Sequence, residues 1–297
     1  MKPALCDLAL PTVDCHALLP GIRALGFQGI EVAPHRIDPD GGAGDSPSAA
    51  AVEAHRRTIG TAGLAVTGLH ALLAGRPELD LFGDAETVRR TRDHLVRLSA
   101  VCRDLGGRTM ILGAGGRRRG ALPLKAAWLA GRAFLEDLLP RIERHGTVLC
   151  IAPLGRSGGD FVLSAADARI LMDALDHPSF GLQMNSAALV DSGETGHAPF
   201  NAGRGRLEQF GVCDPRLTVP DPAGPGRHAD FRRHLATIGY GGWLTLKQRP
   251  TAAPFDGVRR GWAVMRDVYL RQDGHAFVPP HRPQSFAQRT LPPAPAG

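Results

Sequence analysis

A repeated alternation of short apolar runs with longer amphipathic stretches constrains this chain more than any single motif. Apolar runs near residues 4–10, 29–32, 65–69, 109–112, 148–151, 181–184, 208–212 and 243–246 are rich in Val, Ile and Leu, as in parallel strands covered on both faces. Helical periodicity fills the intervals, over 16–25, 85–105, 122–145, 165–175 and 228–238. Gly26, Gly63, Gly106, Gly146 and Gly239 stand where helices must end in a left-handed cap before the next strand. Parallel strands need crossover helices. Eight such units over residues 1–270 predict an α/β fold, a (β/α)8 barrel, which typically takes about 250 residues.

The sixth unit breaks the pattern. DSGETGHAPFNAGRGR (191–206) has almost no apolar periodicity, so its helix is expected to be short or missing. Residues 271–297 are rich in Pro and Gln and poor in core residues. They are expected to form a separate surface-hugging or disordered tail.

Composition narrows the setting. No apolar run is long enough to span a bilayer, and Asp, Pro and His break up the N-terminus too often for a secretory signal. A cytoplasmic protein with no membrane role is expected. Cys6, Cys15, Cys102, Cys150 and Cys213 are odd in number and lack CxxC spacing, so they read as reduced, buried small hydrophobes. The net charge of +6 comes from 35 Lys+Arg against 29 Asp+Glu, with lysine only at 2, 125 and 247. No GxSxG elbow, HExxH helix or Walker loop is present.

In such barrels the chemistry sits where the strands end at their C-terminal face. The residues to question there are Cys6, Asp7, Glu31, His35, His70, Arg117, Ala152, Asn185, Gly211 to Asp214, and Lys247. The segments IRALGFQGIEVAPH, GLAVTGLHALL, CRDLGGRTMILGAGG, HGTVLCIAPLGR, HPSFGLQMNSAAL, FGVCDPRL and GYGGWLTLK occur in order on these elements. Together they make the chain, over 3–270, resemble the xylose isomerase-like barrels. The resemblance is to the sugar-phosphate isomerase/epimerase branch, related to tagatose-type 3-epimerases and hydroxypyruvate isomerase.

The resemblance implies a divalent metal held by Glu, Asp, His and Glu at the ends of four strands. It also implies proton transfer next to a carbonyl, with two of those glutamates as acid and base. At the four positions this chain carries Ala152, Asn185, Gly211 and Lys247. Ala188 replaces a further His, and Gly158 or a neighbour replaces a second carboxylate. Ala and Gly offer no side-chain ligand, and a lysine cation repels a metal. The expectation is therefore no metal and no cofactor, with a mildly cationic mouth.

What remains allows several roles. Glu31, His35, His70, Arg117, Arg156, Asn185, Asp214 and Arg216 are the candidate ligand-binding residues, and Lys247 is the one catalytic candidate. Glu31 and Asp214 could instead cap loops or pair with an arginine, and His70 could be a packing residue. Lys247 could pair with Asp214 as a structural cation, or with a lowered pKa serve as a base or Schiff-base amine. Arg117–Arg119, after two glycines, could clamp a phosphate or carboxylate.

Three functional readings stay open. The first is a pseudoenzyme that binds a small, anionic, sugar-like metabolite. The second is a metal-independent isomerase or lyase using Lys247 with His70 and Asp214. The third is a conventional metal-dependent isomerase whose ligands lie elsewhere. The resemblance also covers an abasic-site endonuclease, but that enzyme needs a trinuclear metal site this chain lacks. Aromatic content of 5% gives few stacking platforms, and no nucleic-acid partner is expected. Homo-oligomerisation is left open.

Overall fold

The computed structural model describes residues 1–12, 15–39 and 46–271. These form eight parallel strands: β1 Lys2–Cys6, β2 Gly29–Val32, β3 Ala65–Leu69, β4 Thr109–Leu112, β5 Val148–Ile151, β6 Phe180–Asn185, β7 Leu207–Val212 and β8 Trp243–Leu246. They pair in sequence order, and β8 closes on β1 with Ala4 opposite Thr245 and Leu5 opposite Leu246. The expected (β/α)8 barrel is the observed one.

The helices among the described residues are α1 Leu19–Leu25, α2 Ala49–Thr61, α3 Ala85–Asp104, α4 Leu124–Glu143, α5 Gly155–Gly158, α6 Ala165–Leu175, α7 Ser186–Ser192, α8 Ala198–Gly203, α9 His228–Thr237 and α10 Pro254–Val264. Local chemistry sets their starts. The Asp84 carboxylate accepts from Thr87 N at 2.8 Å to cap α3, and Ser164 with Asp167 forms a capping box on α6. One face of α3, including Leu95, Leu98 and Cys102, is fully buried. Each such leucine contributes about 2–3 kcal/mol of burial free energy. The five glycines expected as helix ends all have positive φ.

Two expectations shift. β1 stops at Cys6 rather than continuing to residue 10, because Asp7–Ala9 forms a 3-10 turn. The helix expected over 16–25 is a 3-10 turn, Cys15–Leu18, followed by α1. The weak sixth unit is short as expected, holding only the brief helices α7 and α8. The tail beyond Arg271 lies outside the described residues.

Two layers of core result. Leu5, Ile30, Leu69, Met110, Leu149, Leu182, Phe210 and Leu246 belong to the large apolar core that includes the helices. The opposite strand faces line the barrel, where Ile111, Val148, Cys150 and Ala152 form a separate apolar cluster. Elsewhere the lining carries buried polar side chains, among them Glu31, Gln183, Gln209 and Thr245. Gln209 Nε2 on β7 donates to Glu31 Oε1 on β2 at 2.7 Å, and these strands are not neighbours, so the bond crosses the barrel interior. Gly68 on β3 is required by close approach, since a Cβ there would lie 2.0 Å from Thr109 O.

Candidate functional site

The lining leads upward to the mouth at the C-terminal strand ends. Lys247, just past β8, places Nζ 2.7 Å from Glu31 Oε2. The Glu31 side chain is 0% exposed and that of Lys247 13%, so the carboxylate lies behind the ammonium. Burial alone would raise the Glu31 carboxyl, but the charges of Lys247 and His70, with the hydrogen bonds from Lys247 and Gln209, together hold the pKa below the usual range. Burial alone would lower Lys247, yet Glu31 raises it above its usual value. Lys247 is thus a fixed cation, not the amine of lowered pKa that nucleophilic chemistry requires.

A second pair has the same arrangement. His70 Nε2, just past β3, donates to Asp7 Oδ1 at 2.6 Å, and the side chains are 12% and 6% exposed. Asp7 Oδ2 accepts from Ala33 N at 2.9 Å. Cys6 Sγ lies 3.4 Å from the same His70 nitrogen. Burial would lower the His70 pKa, but Cys6, Asp7 and Glu31 push it well above 6.5. Burial raises the Cys6 thiol. Because Cys6 and Asp7 share one imidazole nitrogen, this is not a nucleophile–base–orienter relay, which needs both ring nitrogens.

Three of the four positions where the resemblance implied metal ligands come together. A Cβ on Gly211 would lie 2.9 Å from Asn185 Cβ, 3.1 Å from Gln183 Nε2 and 3.4 Å from Lys247 Cδ. Asn185 Oδ1 accepts from Ala188 N at 2.8 Å and caps α7, so that oxygen is already used. Ala152 sits in the apolar lining cluster, its backbone oxygen accepting from Arg117. A hydroxyl-free alanine, a glycine without room for a Cβ, a capping amide and a paired ammonium do not fit a divalent ion.

The other candidates divide sharply. Arg117 is fully buried and donates to Leu112 O at 3.1 Å, Ala152 O at 2.8 Å, Phe161 O at 3.4 Å and Val162 O at 3.5 Å. Burial pulls its pKa down to about 9. It ties the loop after β5 to the strand ends and, wholly buried, lies out of reach of a phosphate in solvent. Arg119 donates to Asp160 O and Leu122 O. The three-arginine clamp therefore reduces to the exposed Arg118, in a hollow of about 460 Å³ lined also by Arg76, Asp80 and Gly116.

Asp214 does not pair with Lys247. Its Oδ1 accepts from His228 Nε2 at 3.1 Å and its Oδ2 from Asp221 N at 3.1 Å, while His228 Nδ1 accepts from Tyr269 Oη at 2.9 Å. All three side chains are buried. Asp214 thus locks the loop after β7 rather than facing a ligand. Arg156 is exposed on α5 and Arg216 on a 3-10 turn, while His35, exposed on a 3-10 turn after β2, feels the charges of Asp7 and His70 without a direct bond to them. Glu31, His70, Asn185 and Lys247 form the mouth, joined by Cys6, Asp7 and Gln209. The mouth is charge-balanced rather than cationic, because each cation has its own carboxylate.

A family profile, xylose isomerase-like TIM barrel, matches residues 21–268. No curated protein sequence matches the chain. Among solved structures, a D-psicose 3-epimerase crystallised with D-fructose superposes with TM-score 0.77 at 15% identity, covering 91% of this chain and 99% of that one. A 3-keto-D-glucoside 4-epimerase from E. coli gives 0.74 at 19% identity, covering 90% and 99%. An AP endonuclease of family 2 from Brucella melitensis gives 0.69 at 17% identity, covering 87% and 97%. At these identities the likeness is one of fold. Among the described residues no helix is long and apolar enough to cross a membrane.

Proposed function

We propose that this chain, which belongs to the xylose isomerase-like TIM barrel family, binds a small sugar-like metabolite at its mouth without the family's metal-dependent isomerisation. The observation that carries this reading is the Lys247–Glu31 pair, Nζ to Oε2 at 2.7 Å. It sets a tethered cation beside Gly211 and Asn185, where the resemblance implies the metal's ligands. Lys247 and His70 lie outermost in their pairs and can donate to ligand oxygens, with Asn185 near Lys247 across Gly211. Such donors suit carbonyl and hydroxyl oxygens. The sugar epimerases of the same fold supply the substrate class.

The charge balance bears on the ligand. Glu31 and Asp7 offset Lys247 and His70, so the mouth has no surplus charge to demand an anion, and neutral sugars belong in the test beside sugar phosphates. Lys247 held in its charged form supports a positioning role over a Schiff base. Isothermal titration with ketohexoses, aldonates and sugar phosphates, in chelator, tests the reading. Binding of at least one class, weakened tenfold or more by Lys247→Met, is expected. Absence of binding across all three would overturn it.

A further inference from the structure

We infer that Cys6, Asp7 and His70 form a binding site for a zinc-class divalent ion at the ends of β1 and β3, apart from the positions on β5–β8 where the resemblance implies a metal. Cys6 Sγ, an Asp7 carboxylate oxygen and a His70 ring nitrogen lie within 4.8 Å of one another. They are three different donor types from the ends of two strands that flank β2. Cys6 and Asp7 follow one another at the end of β1, and His70 follows β3. Thiolate, imidazole and carboxylate together suit Zn²⁺ or Co²⁺ better than Mg²⁺ or Mn²⁺.

The distances nearly fit. Tetrahedral zinc with bonds of about 2.3 Å to sulfur and 2.0–2.2 Å to nitrogen and oxygen sets its ligand atoms roughly 3.4–3.6 Å apart. Cys6 Sγ to His70 Nε2 is already 3.4 Å. The His70–Asp7 contact of 2.6 Å must open by about 0.8 Å, because the ion takes the place of the proton these two groups share. The thiol proton of Cys6 leaves as well, since the thiolate is the ligand.

The surroundings support such a site. Ala33 N fixes the Asp7 carboxylate through its other oxygen, the kind of outer contact that orients metal ligands. Lys247 does not repel the ion as a bare charge would, because Glu31 pairs with it at 2.7 Å. His70 is partly exposed, so an ion can enter, and three protein ligands leave a fourth position for water or a ligand oxygen. This inference does not depend on the sugar-binding reading, since its probe is a metal alone.

Cobalt(II) titration of chelator-stripped protein is the test. Near-ultraviolet thiolate-to-cobalt charge transfer is expected to saturate at one ion per chain. It should persist in Cys15→Ser and vanish in Cys6→Ser. His70→Asn and Asp7→Asn should each weaken cobalt binding at least about tenfold, with circular dichroism confirming the fold. No charge-transfer band at saturating cobalt would overturn the inference. So would a band undiminished in Cys6→Ser, or, should that variant not fold, unchanged affinity in both His70→Asn and Asp7→Asn.

Discussion

Replacing Lys247 by Met removes the charge and keeps most of the side-chain volume, which isolates the Lys247–Glu31 pair. At 2.7 Å and an effective dielectric of about 20, the attraction amounts to roughly 6 kcal/mol before desolvation is subtracted. Removing one partner of a buried pair leaves an uncompensated charge and costs about 3–5 kcal/mol. In the variant, Glu31 keeps Gln209 as its donor and can otherwise escape only by taking up a proton. Its folded pKa then lies above the unfolded value of about 4.3, so the variant loses stability as pH rises through that window. The wild-type Glu31 is shifted the other way, and the gap between the two proteins widens upward from pH about 4.

For a barrel of this size about 2 °C of melting temperature corresponds to each kcal/mol, which gives a drop of roughly 6–10 °C. Calorimetry at neutral pH reads it. The double variant Glu31→Gln/Lys247→Met has no stranded charge and should recover to within about 1–2 kcal/mol of wild type. A single-variant cost below about 1 kcal/mol would place the pair in the solvated class and refute the argument. A double variant as unstable as the single would do the same.

Other perturbations follow from the same geometry. Arg117→Lys cannot keep four carbonyl contacts with one ammonium; it should cost about 2–4 kcal/mol and speed amide exchange over residues 153–162, and unchanged exchange there would contradict the tether. Restoring a histidine by Gly211→His should destabilise by about 1–3 kcal/mol through overpacking, because the Asn185 Cβ would be 2.9 Å away; a neutral effect in urea unfolding would show that space exists. His55, packed 3.2 Å from His16, has its pKa pulled down to about 4, first by burial and then by the His16 charge. Its contribution to stability is whole above pH 6.5 and is lost as pH falls from 6.5 towards 4. Imidazole proton resonances should therefore show His55 titrating near pH 4, and titration near 6.5 would refute its burial.

The strands were legible because parallel strands buried on both faces keep unbroken apolar runs. β1 was read too long because Asp7 and Ala9 bend into a 3-10 turn held from a distance by the Asp7–Ala33 bond. α2 went unread because only Val52, His55 and Ile59 of its residues are buried, leaving just two apolar side chains to mark its inner face. At the mouth, position alone picked out Glu31, His70, Asn185 and Lys247, since strand ends converge in any barrel. Partners were not legible. Lys247 reaches across β1 to Glu31 on β2, and nothing local separates that carboxylate from Asp214. Arg117 looked like part of a solvated basic run, yet tertiary packing places it alone of the three wholly inside. Gln209 passed unnoticed as an uncharged residue within a strand, although an inward polar side chain in an apolar run is a signal that could have found it.

The central proposal is that the strand ends of β5 to β8 hold no divalent ion, and that Lys247 after β8 pairs instead with Glu31 on β2. Manganese(II), which favours oxygen and nitrogen ligands over thiolate, tests it most directly in the Cys6→Ser protein, where the site inferred on β1 and β3 is disabled. Free manganese followed by electron paramagnetic resonance is expected to remain unbound at concentrations that saturate metal-dependent relatives. Stoichiometric manganese binding that Asn185→Ala abolishes would contradict the account.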